Sequence, residues 1–108
     1  MTAKPIALRA RARQDVEAAV DHYREVAGEL VALGFVDALQ KGIGHICRHP
    51  GSGSTRYAVD LNLPGLRSWP LRRYPFILFY VEREANIDLW RILRADRDLP
   101  LWLRPSDA

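Results

Sequence analysis

The chain has 108 residues, 48% of them hydrophobic and 27% charged, with a formal net charge of +3. A chain of this length makes one domain that buries roughly 65% of its unfolded surface, so no metal or disulfide staple is required, and the composition excludes a disordered or fibrous protein. The single cysteine, Cys47, excludes an internal disulfide and fits a reducing compartment, which makes the cytoplasm the expected location.

The N-terminus carries no apolar stretch followed by a cleavage site, and no uninterrupted apolar run approaches a bilayer's thickness, so neither export nor membrane insertion is expected. Of the sixteen Lys and Arg residues, only Lys4 and Lys41 are lysine. Arginine presents a flat, permanently charged fork that grips carboxylates and phosphates in pairs. Charge is uneven along the chain: residues 48–73 hold five arginines against the single acid Asp60, whereas residues 15–29 hold five acids against Arg24. A dipolar surface follows.

Residues 5–9 are short and weakly alternating and are read as a strand. Over residues 14–27 the apolar positions Val16, Ala19, Val20, Tyr23 and Val26 step by three or four, the period of one helical face. Asp15 and Glu17 are expected in the first turn, where the helix dipole favours acids, with Arg24 near the other end. The break at Ala27-Gly28 is short, which implies an antiparallel hairpin with a second helix over residues 29–48, whose stripe is Ala32, Val36, Leu39, Ile43, Ile46 and Cys47. Gly34, Gly42 and Gly44 inside that helix each cost about 1 kcal/mol relative to alanine, a conflict that close packing must offset.

Residues 50–55 have no large apolar side chain and read as a flexible loop. Residues 56–63 are expected to form a partial strand or remain irregular, and Pro64-Gly65 is a turn pair. Three consecutive antiparallel strands follow. The first, residues 66–75, is interrupted by Pro70 and Pro75 and is expected to bend or pair on one side only. The second, residues 76–82, is almost wholly apolar and should lie at the centre of the sheet. After the turn Glu84-Ala85-Asn86 comes the third, from Ile87. Arginines interleave the apolar positions of its neighbours, the pattern of a sheet with one face in the core and one meeting water or a partner. Residues 99–103 are too apolar for a plain tail and should dock on the sheet or on another molecule. The expected architecture is α+β: an N-terminal strand, then a two-helix antiparallel hairpin packed on a largely antiparallel sheet of about four strands, then a short C-terminal segment, all in one domain over residues 1–108.

The segment Asp15-Val16-Glu17-Ala18-Ala19-Val20-Asp21-His22-Tyr23, the second helix closing through Ile43 to Ile46 and His49-Pro50-Gly51-Ser52-Gly53, the turn Pro64-Gly65-Leu66-Arg67-Ser68-Trp69-Pro70, the strand Ile77-Leu78-Phe79-Tyr80, and Arg91-Ile92-Leu93 leading to Arg97-Asp98 together resemble the RelE/ParE toxin superfamily, and within it the ParE branch. The resemblance covers nearly the whole chain. It implies a toxin of a type II toxin-antitoxin system, of the kind linked to plasmid stabilization, held inactive by a cognate ParD-like antitoxin in a hetero-oligomer. ParE-like members are associated with DNA gyrase, whereas RelE-like relatives cut messenger RNA on the ribosome. One departure stands out: Arg94 occupies a position where the family often has histidine.

An RNA-cutting relative needs a base for the 2′-hydroxyl, an acid for the leaving oxygen and cations for the charged intermediate. Cations are plentiful, but His22 and His45 lie within predicted helices, His49 at a helix end, and the sheet carries no histidine. Tyr80, in the central strand, reads as core. The expectation is therefore an inhibitor with no catalytic residue, using Arg67, Trp69, Arg91, Arg94, Arg97, Leu99, Leu101 and Trp102 for target or antitoxin contact. The alternative, a ribosome-dependent endonuclease, would draw on Arg56, Tyr57, Arg72 and Arg73. No cofactor is expected. No metal is either: His45 and His49 stand four apart, but Pro50 follows and no third ligand is near. Cys47 reads as a small buried apolar residue.

Overall fold

The computed structural model describes residues 3–96 together with Leu99 and Leu103. Strand β1 (Ile6–Leu8) leads into helix α1 (Ala10–Ala27), helix α2 (Glu29–Arg48), a 3-10 turn (Pro50–Ser52), a short helix α3 (Arg56–Asp60) and strands β2 (Leu66–Pro70), β3 (Phe76–Glu82) and β4 (Ile87–Arg94). The four strands form one sheet in the order β1-β4-β3-β2, with β2, β3 and β4 antiparallel and β1 parallel to β4. The α+β architecture is the one expected from the sequence, with β3 and β4 sharing the interior of the sheet.

Helix α1 starts at Ala10, four residues before the apolar period begins, because Ala10 and Ala12 are strong helix formers and Ala12 is fully buried. Asp15 and Glu17 therefore lie beyond the first turn, and the expected pairing with the helix dipole is absent. Val26, which its spacing places on the buried stripe, is 65% exposed; it stands at the hairpin tip beside Leu30 and Leu33, also exposed. Gly28, with φ of 92°, makes the one-residue break that a side chain would resist.

Helix α2 has the bounds expected, 20 residues, and an 18-residue stretch of it has a mean hydropathy of 1.2, long and apolar enough by composition to cross a bilayer. Its buried residues are Ala32, Phe35, Leu39, Gly42, Ile46 and Cys47, so part of that apolarity faces the domain core. Phe35 is the member that the periodic reading omits. Its ring lies 5.5 Å from that of Tyr23, 5.6 Å from Tyr74 and 5.1 Å from Phe76, which makes it the hub of an aromatic cluster joining both helices to the sheet. The glycine conflict resolves here. A Cβ on Gly42 would come within 2.8 Å of Leu71 Cδ2, and one on Gly34 would strike the Tyr74 hydroxyl, so both let α2 approach the β2–β3 connection; Gly44 meets only the Arg48 guanidinium.

Both faces of the sheet are covered. Leu78, Tyr80, Leu89 and Ile92 face the helical hairpin, while Leu66, Phe79, Val81 and Leu93 join Tyr57, Leu61 and Leu63 with Leu99 and Leu103 in a second core. This corrects the expectation of a wet outer face. Residues 56–63 begin as a five-residue helix, not a partial strand, and Leu99 and Leu103 of the C-terminal segment are buried on the sheet. Five residues are too few for a helical period to show, and the second face was hidden because it is covered by pieces distant in sequence.

Between Phe79 and Tyr80 the register with β4 slips from Arg91 to Leu89, leaving Trp90 as the extra residue of a β-bulge. Strand β1 pairs only as far as Leu89, so the rest of the β4 edge has no strand beside it among the described residues. Asp15 of α1 takes that place: its carboxylate accepts from the Ile92 backbone N–H at 3.0 Å.

Candidate functional site

Arg91 is 4% exposed, and its guanidinium donates twice to Asp15, from Nε and Nη2, each at 2.8 Å. It ties α1 to β4 and does not reach an outer surface. Arg67, on β2, donates to the carbonyl oxygens of Gly51 and Gly53, at 3.1 and 2.8 Å. Arg94 pairs with Asp96 at 3.1 Å and lies over the Phe76 ring. Among the expected contact residues, then, Arg67 and Arg91 brace the fold at different strands, and they do not converge with Arg94 on one basic platform. Leu99 belongs to the second core; Arg97, Leu101 and Trp102 lie outside the described residues.

The residues of the alternative nuclease site are also divided. Tyr57 packs edge-on against Phe79 in the second core, and Arg56 lies over the Tyr57 ring, 3.9 Å from Asp60. Arg72 and Arg73 occupy the β2–β3 turn, whose Leu71 and Tyr74 belong to the helical face. The sheet separates the two pairs.

Tyr80, expected in the core, is buried with its hydroxyl in use: it donates to the Pro50 carbonyl at 2.7 Å and accepts from the Gly53 N–H at 3.1 Å. Burial pushes its ionisation above the ordinary tyrosine range, an effect that the Gly53 bond opposes in part. Together with Arg67 it pins residues 50–53, which the sequence reads as a flexible loop.

One cleft does gather charge. It has a volume of ≈ 620 Å³ and runs between α2 and the β2–β3 turn, with Lys41, His45 and Arg48 on one wall and Trp69, Arg72 and Arg73 on the other. Asp37 is the one carboxylate in its lining, and it pairs with Lys41 at 3.0 Å. Arg48, Arg72 and Arg73 have no carboxylate partner among the described residues. The His45 ring stacks on Trp69 with centroids 4.1 Å apart and planes 17° from parallel. Ser52 Oγ donates to the His49 carbonyl at 2.7 Å and lies 3.0 Å from His45 Nε2. Tyr74 lines the same cleft, but its hydroxyl donates to the Val31 carbonyl at 3.0 Å. Val31 and His45 are fourteen residues apart on α2, roughly 21 Å at 1.5 Å per residue. Tyr74 and His45 therefore do not converge within the cleft.

Sequence reasoning weighed His45 as an acid–base group and as a metal ligand, and passed over Lys41 and Arg48 as site residues. The signal was present: positions 34, 38, 41, 45 and 48 step by three and four along one face of α2, and that face carries glycine and alanine at one end and basic groups at the other.

The sequence matches, over residues 6–99, the family described as the ParE toxin of type II toxin-antitoxin system, parDE. This chain belongs to the ParE toxin family. A solved structure titled "Chromosomal ParDE TA system from P. aeruginosa" is similar to it, with a TM-score of 0.71 and 25% sequence identity over 84% of this chain and 95% of that one. No curated protein matches it in sequence. The chain is thus a type II toxin by family, and a ParE-type toxin is the frame in which the cleft has to be understood.

Proposed function

We propose that this ParE-family toxin inhibits DNA gyrase in the cytoplasm without catalysing a reaction, and that a cognate ParD-like antitoxin neutralises it by forming a hetero-oligomer. The family match over residues 6–99 carries the reading. Geometry supports it from the chemical side: the residues an endonuclease would draw on, Arg56 and Tyr57 against Arg72 and Arg73, sit on opposite faces of the sheet, and the tyrosine nearest the free arginines is bonded to a helix carbonyl. A group that must give or take a proton has to reach the reacting atom within hydrogen-bond distance, and these two groups of residues do not meet.

The test is a purified gyrase supercoiling assay with and without the toxin. Loss of supercoiling, with cleaved DNA accumulating and with reversal on adding the antitoxin encoded beside it, is the expected result. Full gyrase activity at excess toxin, together with cut transcripts on expression, would transfer the protein to the endonuclease reading.

A further inference from the structure

Among the described residues, three arginines with no carboxylate partner gather along one cleft. Arg9, Arg24, Arg56, Arg83, Arg91 and Arg94 each stand within 4.0 Å of a carboxylate. Among the described residues Arg13, Arg48, Arg67, Arg72 and Arg73 do not, and Arg48, Arg72 and Arg73 line the cleft between α2 and the β2–β3 turn. Like charges held together without counter-charges repel, so an arrangement that keeps three of them around one concavity is complementary to a ligand with several negative charges.

The turn that presents two of these arginines is built, not slack. Arg73 has a positive φ of 69°, a left-handed conformation that is unfavourable for a non-glycine residue. The Leu71 N–H bonded to the Phe76 carbonyl at 2.9 Å and the Tyr74 hydroxyl bonded to Val31 hold the turn against that cost. Beside the arginines lies the His45–Trp69 stack, whose imidazole is fixed by Ser52.

From these observations we propose that the cleft binds a single-stranded nucleic-acid segment, its phosphates on Arg48, Arg72 and Arg73 and an unpaired base against the His45–Trp69 stack. Free guanidinium forks would serve an acidic peptide as well, but such a peptide has no use for a stacked ring pair, whereas every base has a face to lay on one. A duplex keeps its base faces covered. The inference deepens the gyrase reading, since a poison of a DNA-bound enzyme could hold a strand of that DNA, but the binding itself needs no gyrase.

Fluorescence anisotropy of the full-length protein with a labelled oligothymidylate of about 12 nucleotides tests it. Three phosphate contacts predict a slope of log affinity against log salt of about −2, falling to about −0.7 in the Arg48→Gln, Arg72→Gln double variant. His45→Ala should weaken binding about fivefold with the slope unchanged, which a purely electrostatic patch would not show. Circular dichroism and urea midpoints matching the parent keep folding out of the comparison, since Arg48 and Arg72 are exposed. Absent or salt-independent binding, a double variant with the parent's slope, equal affinity for the matching duplex, or displacement of the strand by an oligoglutamate peptide at equal charge would each overturn the proposal. The supercoiling assay separates the two readings: gyrase inhibition without strand binding removes the cleft's role alone, and strand binding without gyrase inhibition leaves the cleft standing while the target changes.

Discussion

Asp15 of α1 and Arg91 of β4 form a doubly bonded ion pair across 76 residues of sequence, and the same carboxylate accepts the Ile92 backbone N–H. The side chains are 13% and 5% exposed. Removing one member leaves the other charge buried and unpaired, which costs about 3–5 kcal/mol. Asp15→Ala and Arg91→Ala should each lower the urea unfolding free energy by about 3 kcal/mol, and the double variant should lose less than the sum of the two. Additive losses would mean that the pair is not coupled.

Two glycines of α2 should respond to alanine with opposite signs. At Gly44 the new methyl meets only the mobile end of Arg48, so helix propensity acts alone and the protein should gain about 0.5–1 kcal/mol. At Gly42 the methyl would lie 2.8 Å from Leu71 and 3.3 Å from Leu78, both buried. Overpacking of that kind costs about 1–3 kcal/mol, more than the propensity gain. Thermal unfolding of Gly42→Ala and Gly44→Ala reads the difference directly.

Tyr80→Phe keeps the ring and removes one hydroxyl, leaving the Pro50 carbonyl and the Gly53 N–H without that partner. A loss of about 1–3 kcal/mol is expected. Hydrogen exchange at the Gly53 amide should speed up more than global stability falls, because that amide loses its acceptor. Exchange unchanged at Gly53 would show that the tyrosine contributes packing only.

Asp88 organises the far end of β4. Burial by itself would raise its carboxyl, but hydrogen bonds from Arg9, Arg83 and Trp90 outweigh that and hold it below the ordinary carboxylate range. The folded value being depressed, the contribution is complete above the unfolded pKa of about 3.9 and is lost as pH falls through the lower folded value. Asp88→Asn should therefore destabilise by about 1–3 kcal/mol at neutral pH. The gap to the parent should close as pH drops below about 4. Urea midpoints across that range measure it.

The sequence alone determined the elements whose side chains repeat. Helix α2 has the expected bounds because its apolar residues recur at helical spacing over five turns and Gly28 and Pro50 mark its ends, and β3 was legible as a continuous apolar run closed by Glu82. The aromatic and aliphatic positions of those elements are largely the core that the period predicts, the exceptions in α2 being Phe35, a hub outside the expected stripe, and Val36, a stripe position outside both the buried set and the residues packed on it. What tertiary structure alone decided is the fate of the charges. Arg67 and Arg91 look like surface residues in a strand pattern, yet carbonyls of a distant loop and a carboxylate on another helix consume them, while Lys41 and Arg48, unremarkable in a helix, meet Arg72 and Arg73 across a cleft. Hydrophobic burial follows local periodicity, so it can be read along the chain. An ion pair or a charged cleft depends on which distant backbone is brought alongside, and nothing local encodes that.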